Sequence, residues 1–522
     1  MNNIDIEQQS TRQIKFGAVV SYAAVAFNIA SGLLYTPWML EQIGKSNFAL
    51  YTLAISLISM FTIDFGMSAA VTRFISKYNA ESNQEKVNSF LGVVYKLYFI
   101  ITGIICVALV ITFFFLDVIY TKLTPSEIDS FKIVYVIASF TCVVSFPFIT
   151  ANGILASYEK FIQIKSIDIF NKLITVLVTV LALSLGMGLY ALVFINSVCN
   201  LLAILVKLYV IKKKTSVKVN FAYKDRSLLK EIFGFSLWTT ITSIMQRLFF
   251  NITPTILGIV SNTVFITFFS LAATLEGYVY LFAQAINGMF LPKISRILSK
   301  SEDGSNSTNL MIKVGRINLS IVALIIIGFI IFGNEFLATV WLRKSDINHK
   351  QIYICAILLM LPSLVHLPQE IAHTTMIAMN KVRLNAIIFT ICGFLNVILS
   401  LCLSYYYGAL GASIAICISY LFRTFLLNIA YHSVLKIKVV LFFKECYLRL
   451  LPAFLLSMGI GLIISKWISI TTGIVNFVMK TMLFFFVYFL IMWILGWNKY
   501  EKNLFKSLTT GLVTKIRKKT AQ

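Results

Sequence analysis

Residues 97–116 read LYFIITGIICVALVITFFFL, a stretch with no charged side chain. A helix rises about 1.5 Å per residue, so roughly twenty apolar residues cross the ~30 Å hydrocarbon layer of a bilayer. Lys96 borders the run on one side and Asp117 on the other. Outward from this stretch, long apolar runs and short lysine-rich connectors alternate about fourteen times. Hydrophobic residues make up 58% of the 522 and charged residues only 13%, against roughly 25% charged in soluble domains. Mean hydropathy is +0.85. An ordinary soluble core is excluded.

The spacing predicts helices over 16–40, 48–70, 88–116, 131–155, 164–186, 188–211, 229–258, 263–290, 310–333, 351–379, 383–405, 409–432, 445–465 and 472–497. This is an all-α integral membrane protein of about 14 transmembrane helices. The first run is about twice as long as a secretory h-region, and other runs follow at once, so it is not read as a signal peptide.

The charges test the count. Lys and Arg collect in cytoplasmic loops. With both termini cytoplasmic, segments 71–87, 156–163, 212–228, 291–309, 380–382, 433–444 and the tail lie inside, and these hold most of the basic residues. Lys212, Lys213, Lys214, Lys218, Lys224, Arg226 and Lys230 crowd around one connector. The net charge of +24 thus reflects topology and attraction to anionic inner-leaflet lipids, not nucleic acid. In the tail, Leu504, Leu508, Leu512 and Ile516 recur every four residues, a spacing that suits an amphipathic helix on the inner surface. The eight cysteines contain no CxxC pair and lie nearly all inside apolar runs, as packing residues do.

The connectors reach only about 20 residues, too short for a catalytic domain, so the chain is read as a carrier and not an enzyme. Gly44-Lys45-Ser46 mimics the end of a phosphate-binding loop, but position 39 is Met rather than Gly. Asn306-Ser307-Thr308 is a glycosylation sequon in a predicted inner loop, where it stays unused. No cofactor is called for; proton or sodium coupling is left open.

An internal repeat runs through the chain. Phe16-Gly17 precedes Thr36-Pro37 as Phe233-Gly234 precedes Thr253-Pro254, and Arg73-Phe74-Ile75-Ser76-Lys77 parallels Arg296-Ile297-Leu298-Ser299-Lys300. Gly188 and Gly408 fall near the end of each half. Parallel repeats place substrate sites at their interface. The expected organisation is a six-helix bundle (1–211), a basic cytoplasmic connector (212–228), a second six-helix bundle (229–432), an extra helix pair (433–497) and a basic tail (498–522). The two bundles enclose a central cavity.

Leu40-Glu41-Gln42-Ile43-Gly44, Phe48-Ala49-Leu50-Tyr51 and Asp64-Phe65-Gly66-Met67-Ser68-Ala69-Ala70 carry a resemblance, joined by Arg73-Phe74-Ile75-Ser76-Lys77-Tyr78, Tyr158-Glu159-Lys160-Phe161 and Gly408-Ala409-Leu410-Gly411-Ala412. Over nearly its whole length the chain resembles the polysaccharide-export branch of the superfamily that also holds multidrug extrusion proteins and lipid II flippases. The resemblance implies a flippase carrying isoprenoid diphosphate-linked oligosaccharide from the inner to the outer leaflet of a bacterial inner or plasma membrane. Polysaccharide polymerase or glycosyltransferases are the implied partners, besides membrane lipids. The first predicted helix has no acid between Phe16 and Leu40. That departs from drug-extruding relatives and weakens the rival reading of a cation-coupled exporter of small amphiphiles. A membrane glycosyltransferase or polymerase is disfavoured by the short outer loops.

Charges deep in spans are functional suspects, costing roughly 2.5–3.5 kcal/mol at a helix centre. Arg247 and Glu276 lie mid-span in the seventh and eighth predicted helices, each roughly 20 Å from the turn between them. They are read either as a structural ion pair or as a diphosphate contact with a tuning acid. Asp168 and Lys172 form an expected i,i+4 pair, with Lys172 a further substrate candidate. Lys96 and Arg423 lie nearer inner ends, and Arg73 and Lys77 at an inner mouth. Pro362 and Pro368 interrupt the tenth helix, where His366, Glu370 and His373 share a face. That stripe suits a proton relay, cavity lining or, more weakly, metal. Asp64 is a coupling candidate whose alternative is a polar cap.

Overall fold

The computed structural model describes residues 25–64, 67–222, 237–238, 240–298, 304–343, 347–379, 381–467, 473–503 and 505–506. Among these residues every regular element is a helix. The chain runs through α1 (25–43), α2 (Lys45–Ser59), α3 (Met67–Ala80), α4 (Gln84–Ile119), α5 (Pro125–Ser145), α6 (Ala151–Ser157), α7 (Phe161–Ser184), α8 (Leu189–Lys214), α9 (240–247) and α10 (Thr253–Val260). Then come α11 (Thr263–Leu298), α12 (Gly304–Phe336), α13 (His349–Met360), α14 (Ser363–His366), α15 (Glu370–Ala378), α16 (Val382–Tyr407), α17 (Ala409–Ser433), α18 (Val439–Phe443), α19 (Arg449–Trp467) and α20 (Ile474–Ile491).

Eleven helical stretches among the described residues are long and apolar enough to cross a membrane. They coincide with the predicted spans from 88–116 to 188–211 and from 263–290 to 472–497. The remaining predictions differ. Residues 16–24 of the first lie outside the described residues, as do 229–236 and 239 of the seventh. The predicted span 48–70 is cut in two, because α2 stops at Ser59 and α3 starts at Met67. Hydropathy stays high through Met60, Phe61 and Ile63, but the helix ends where side chains take over its backbone groups. Asp64 accepts from the Ser68 amide at 3.3 Å and from its hydroxyl at 2.9 Å, which caps α3. The tail residues Leu504, Leu508, Leu512 and Ile516, and Lys224, Arg226 and Lys230 of the connector, also fall outside the described residues.

Local chemistry sets other boundaries. Pro125 opens α5 behind a reciprocal cap, with the Thr124 hydroxyl accepting from the Glu127 amide and Glu127 accepting from the Thr124 amide at 3.0 Å. Gly408 turns the chain between α16 and α17 at φ +55°, and a Cβ there would meet the Phe265 ring at 2.7 Å.

The chain divides into two compact units, residues 1–274 with 382–419, and residues 275–381 with 420–522. In the first, α2 packs on α5, α5 on α4 and α8, α7 on α8, α3 on α6, and α10 on α2 and α16. One face of α4 stays bare: Ile104, Val107, Ile111, Phe114 and Val118 are all more than half exposed. Helical spacing puts them on a common stripe, the face that acyl chains cover.

In the second unit α12 is the hub, packed by α13 to α15, α18, α19 and α20. Gly315 permits this, since a Cβ there would lie 2.8 Å from both the Phe442 ring and the Pro368 carbonyl. A turn of wider π-helix, Lys444–Leu448, precedes α19, whose interior holds Pro452. Proline cannot bond or clear the carbonyl four residues back, which is that of Leu448, and the widened turn accommodates it.

Candidate functional site

The predicted tenth helix is a chain of short pieces: α13, α14, a 3₁₀ turn over Leu367–Gln369, and α15. The cause is Pro368, which has no N–H for the Leu364 carbonyl. That carbonyl accepts instead from the Tyr447 hydroxyl at 2.7 Å, and the Leu367 carbonyl accepts from Asn318 at 3.1 Å. The freed backbone is thus satisfied by side chains, as a water-poor membrane interior demands.

This break lies against α11 and α17 and gathers titratable groups from three elements. On α11, Glu276, Tyr280 and Gln284 recur every four residues, and Gln284 donates to the Tyr280 hydroxyl at 3.2 Å. Glu276 is buried, at 7% exposure, and accepts from the Ser363 hydroxyl at 3.1 Å. Ser363 follows Pro362 directly, so the break aims it at the acid. His366 Nδ1 lies 3.0 Å from the Pro362 carbonyl, and its ring faces Tyr420 with centroids 5.4 Å apart. The Arg423 guanidinium sits 3.9 Å from the centre of the same Tyr420 ring and is 5% exposed. Arg423 acts electrostatically on both Glu276 and His366. Glu370 and His373 pair at 3.5 Å one turn on.

Glu276, Arg423, His366, Glu370 and His373 are therefore one cluster, although the sequence scatters them across three helices. An acid, an arginine and a histidine–glutamate pair inside apolar spans can hold an anion or exchange a proton. Among the described residues no three His, Cys, Asp or Glu side chains converge as metal ligands.

The other candidates lie in the first unit. Arg247, at the end of α9, donates to the Ser59 carbonyl and, at 2.9 Å, to the Thr62 carbonyl. Asp64 caps α3, as above, and also accepts from the Tyr98 hydroxyl at 3.2 Å. Arg73 and Lys77 are exposed on α3, while Lys96 on α4 and Lys172 on α7 are half-buried. The expected local pairing of Asp168 with Lys172 is replaced: Asp168 bonds Lys207 of α8 at 2.8 Å. Adjacent antiparallel helices offer a partner that i,i+4 spacing cannot reveal.

Two further ion pairs, one buried and one half-buried, involve residues that the sequence candidates do not include. Arg316 on α12 donates to both Glu501 oxygens and to the Glu445 and Gly496 carbonyls, the latter at 2.8 Å. Both residues belong to π-helical turns, whose wider spiral leaves carbonyls for side chains to take. Lys480 on α20 lies 3.4 Å from Glu335. Arg316 and Lys480 are charges inside predicted spans, the same signal that singled out Arg247.

Helices of this number and hydropathy, broken and charged in their interior, define a polytopic membrane protein. The chain belongs to the polysaccharide biosynthesis protein family, whose model matches residues 17–298, more than half of its length. No curated protein matched it in a sequence comparison. Among solved structures it is similar to the lipid II flippase MurJ in an inward closed conformation, at TM-score 0.68 and 15% identity, covering 91% of this chain and 98% of that one. It is also similar to an inward-facing multidrug resistance MATE family transporter of the MOP superfamily, at TM-score 0.60 and 13% identity over 80% of this chain and 99% of that one. A Vibrio cholerae MATE transporter aligns at TM-score 0.56 and 10% identity, over 82% and 98% of the two chains. At these identities the likeness establishes the fold.

Proposed function

We propose that this protein is a flippase that carries isoprenoid diphosphate-linked oligosaccharide from the inner to the outer leaflet for surface polysaccharide assembly. It works by alternating access in a bacterial inner or plasma membrane, with both termini cytoplasmic. The carrying observation is the buried Glu276–Arg423 cluster at a proline-broken span in a chain of the polysaccharide biosynthesis family. The isoprenoid tail can stay in lipid, while the diphosphate and sugar need a polar passage. Arg423 is the cation that meets the diphosphate, because a planar guanidinium pairs with phosphate oxygens through two parallel bonds. Glu276 holds Arg423 in place between cargoes. The His366, Glu370 and His373 stripe supplies proton coupling, with sodium as the alternative driving ion. Arg73 and Lys77, exposed on α3, draw the anionic headgroup toward the inner mouth.

The test is reconstitution into proteoliposomes with a fluorescent isoprenoid diphosphate saccharide, scored for leaflet exchange. Exchange above protein-free vesicles supports the reading. No exchange across several glycans, together with uptake of a cationic dye, would replace it by a small-amphiphile exporter.

A further inference from the structure

The break between α2 and α3 is held by an arginine from elsewhere in the chain. The last carbonyls of a helix lack intrahelical partners and carry partial negative charge. At the end of α2, the Leu57 and Ile58 carbonyls are taken by the amides of Met60, Phe61 and Thr62. The Ser59 and Thr62 carbonyls point instead at Arg247, which donates one amino group to each. Two residues on, Asp64 acts electrostatically on the same guanidinium.

Neighbouring polar side chains complete the join. Asn251 donates to the Ser59 hydroxyl at 3.1 Å, and the Ser56 hydroxyl donates to the Asn251 carbonyl. On the far side, Asn396 is fully buried and donates to the Leu248 and Phe249 carbonyls at 2.7 and 3.3 Å. Those carbonyls sit in the gap between α9 and α10. Two helix breaks in the first unit, at residues 60–64 and 248–252, are thereby stitched together, and Arg247 is the charged member of the stitch.

We propose that Arg247 is a tethered cation that neutralises the open end of α2 and fixes the α2–α3 break, a positioning residue and not a cargo contact. Its fork matches two carbonyls, a geometry that a lysine ammonium does not reproduce. This goes beyond the flippase reading and rests on it only for the transport readout.

The experiment compares wild type, Arg247→Ala and Arg247→Lys in proteoliposomes, with and without millimolar methylguanidinium. Arg247→Ala is expected to slow leaflet exchange about tenfold, or ~1.4 kcal/mol, at an unchanged half-saturating cargo concentration. Methylguanidinium restores at least half of the rate, while sodium chloride does not. Arg247→Lys falls between wild type and Arg247→Ala. A rise in half-saturating cargo at unchanged turnover, in either variant, overturns the proposal and makes Arg247 a diphosphate contact. Failure of methylguanidinium to rescue folded Arg247→Ala also overturns it. If Arg247→Ala does not fold, Arg247→Lys decides by the same split. If wild type moves no lipid, the flippase reading fails alone. The clamp is then judged by whether methylguanidinium raises the thermal midpoint of Arg247→Ala.

Discussion

Ser363 and Glu276 meet across 3.1 Å, joining the residue that follows Pro362 to a buried acid on α11. The contact ties the geometry of the broken span to the charge state of one carboxyl. A carboxylate accepts from Ser363, whereas a protonated one also offers a donor of its own. Movement of either element therefore changes the other.

Glu276→Gln keeps the shape and an acceptor for Ser363 but removes the charge that faces Arg423. Gradient-driven exchange is expected to fall about tenfold, with folding retained, because Arg423 loses its counter-charge. Ser363→Ala removes one hydrogen bond and costs about 1 kcal/mol of stability. Transport assays beside thermal melts of the purified variants check both, and an unchanged rate in Glu276→Gln removes this acid from the mechanism.

Arg423→Lys keeps the charge and loses the planar stack over Tyr420. A desolvated cation–π contact contributes roughly 0.5–2 kcal/mol, so apparent cargo affinity should weaken several-fold, and Arg423→Ala should weaken it further. Competition with unlabelled isoprenyl diphosphate measures the order; equal affinities in the lysine variant and wild type count against the stack.

Arg316→Ala should be the most damaging substitution among those considered. It strands Glu501, 5% exposed, without its cation, and breaking a buried pair from one side costs about 3–5 kcal/mol. The double variant Arg316→Met with Glu501→Gln should recover much of that loss. Melting curves in detergent decide, and a double variant no better than the single one refutes the pair as the cause.

Asp168→Asn breaks the Lys207 contact at a site where Asp168 is 42% exposed. A pair of that exposure contributes about 0–1 kcal/mol. Stability should change little, and less in 0.5 M than in dilute salt, since the contact is screened. Lys207→Ala should match Asp168→Asn, whereas Lys172→Ala should not couple to it in a double-mutant cycle.

Most of the fold is legible in the sequence because a lipid-spanning helix is written as an uninterrupted apolar length. The run 97–116 needs no partner to be recognised, and α4 encloses it. Pro362 and Pro368 likewise announce a break wherever the helix packs. The break after Ser59 was not legible, since Met60, Phe61 and Ile63 keep the hydropathy high while the decisive event is hydrogen bonding by Asp64 and Arg247. The candidate residues Glu276, Arg423 and the His366–Glu370–His373 stripe were found individually as charges in apolar runs. Their assembly was not, because Ser363 reaches Glu276 from 87 positions away along the chain.

Hydrophobic length and the charge of the connectors, both additive along the chain, determined from sequence alone that this protein crosses a membrane many times on helices. Partner choice is different. Lys207 rather than Lys172 for Asp168, the Ser59 and Thr62 carbonyls for Arg247, and Glu501 for Arg316 were decided only by tertiary structure. A buried charge is satisfied by whatever donor or acceptor the packing brings within about 3 Å, and that proximity has no signature in local spacing.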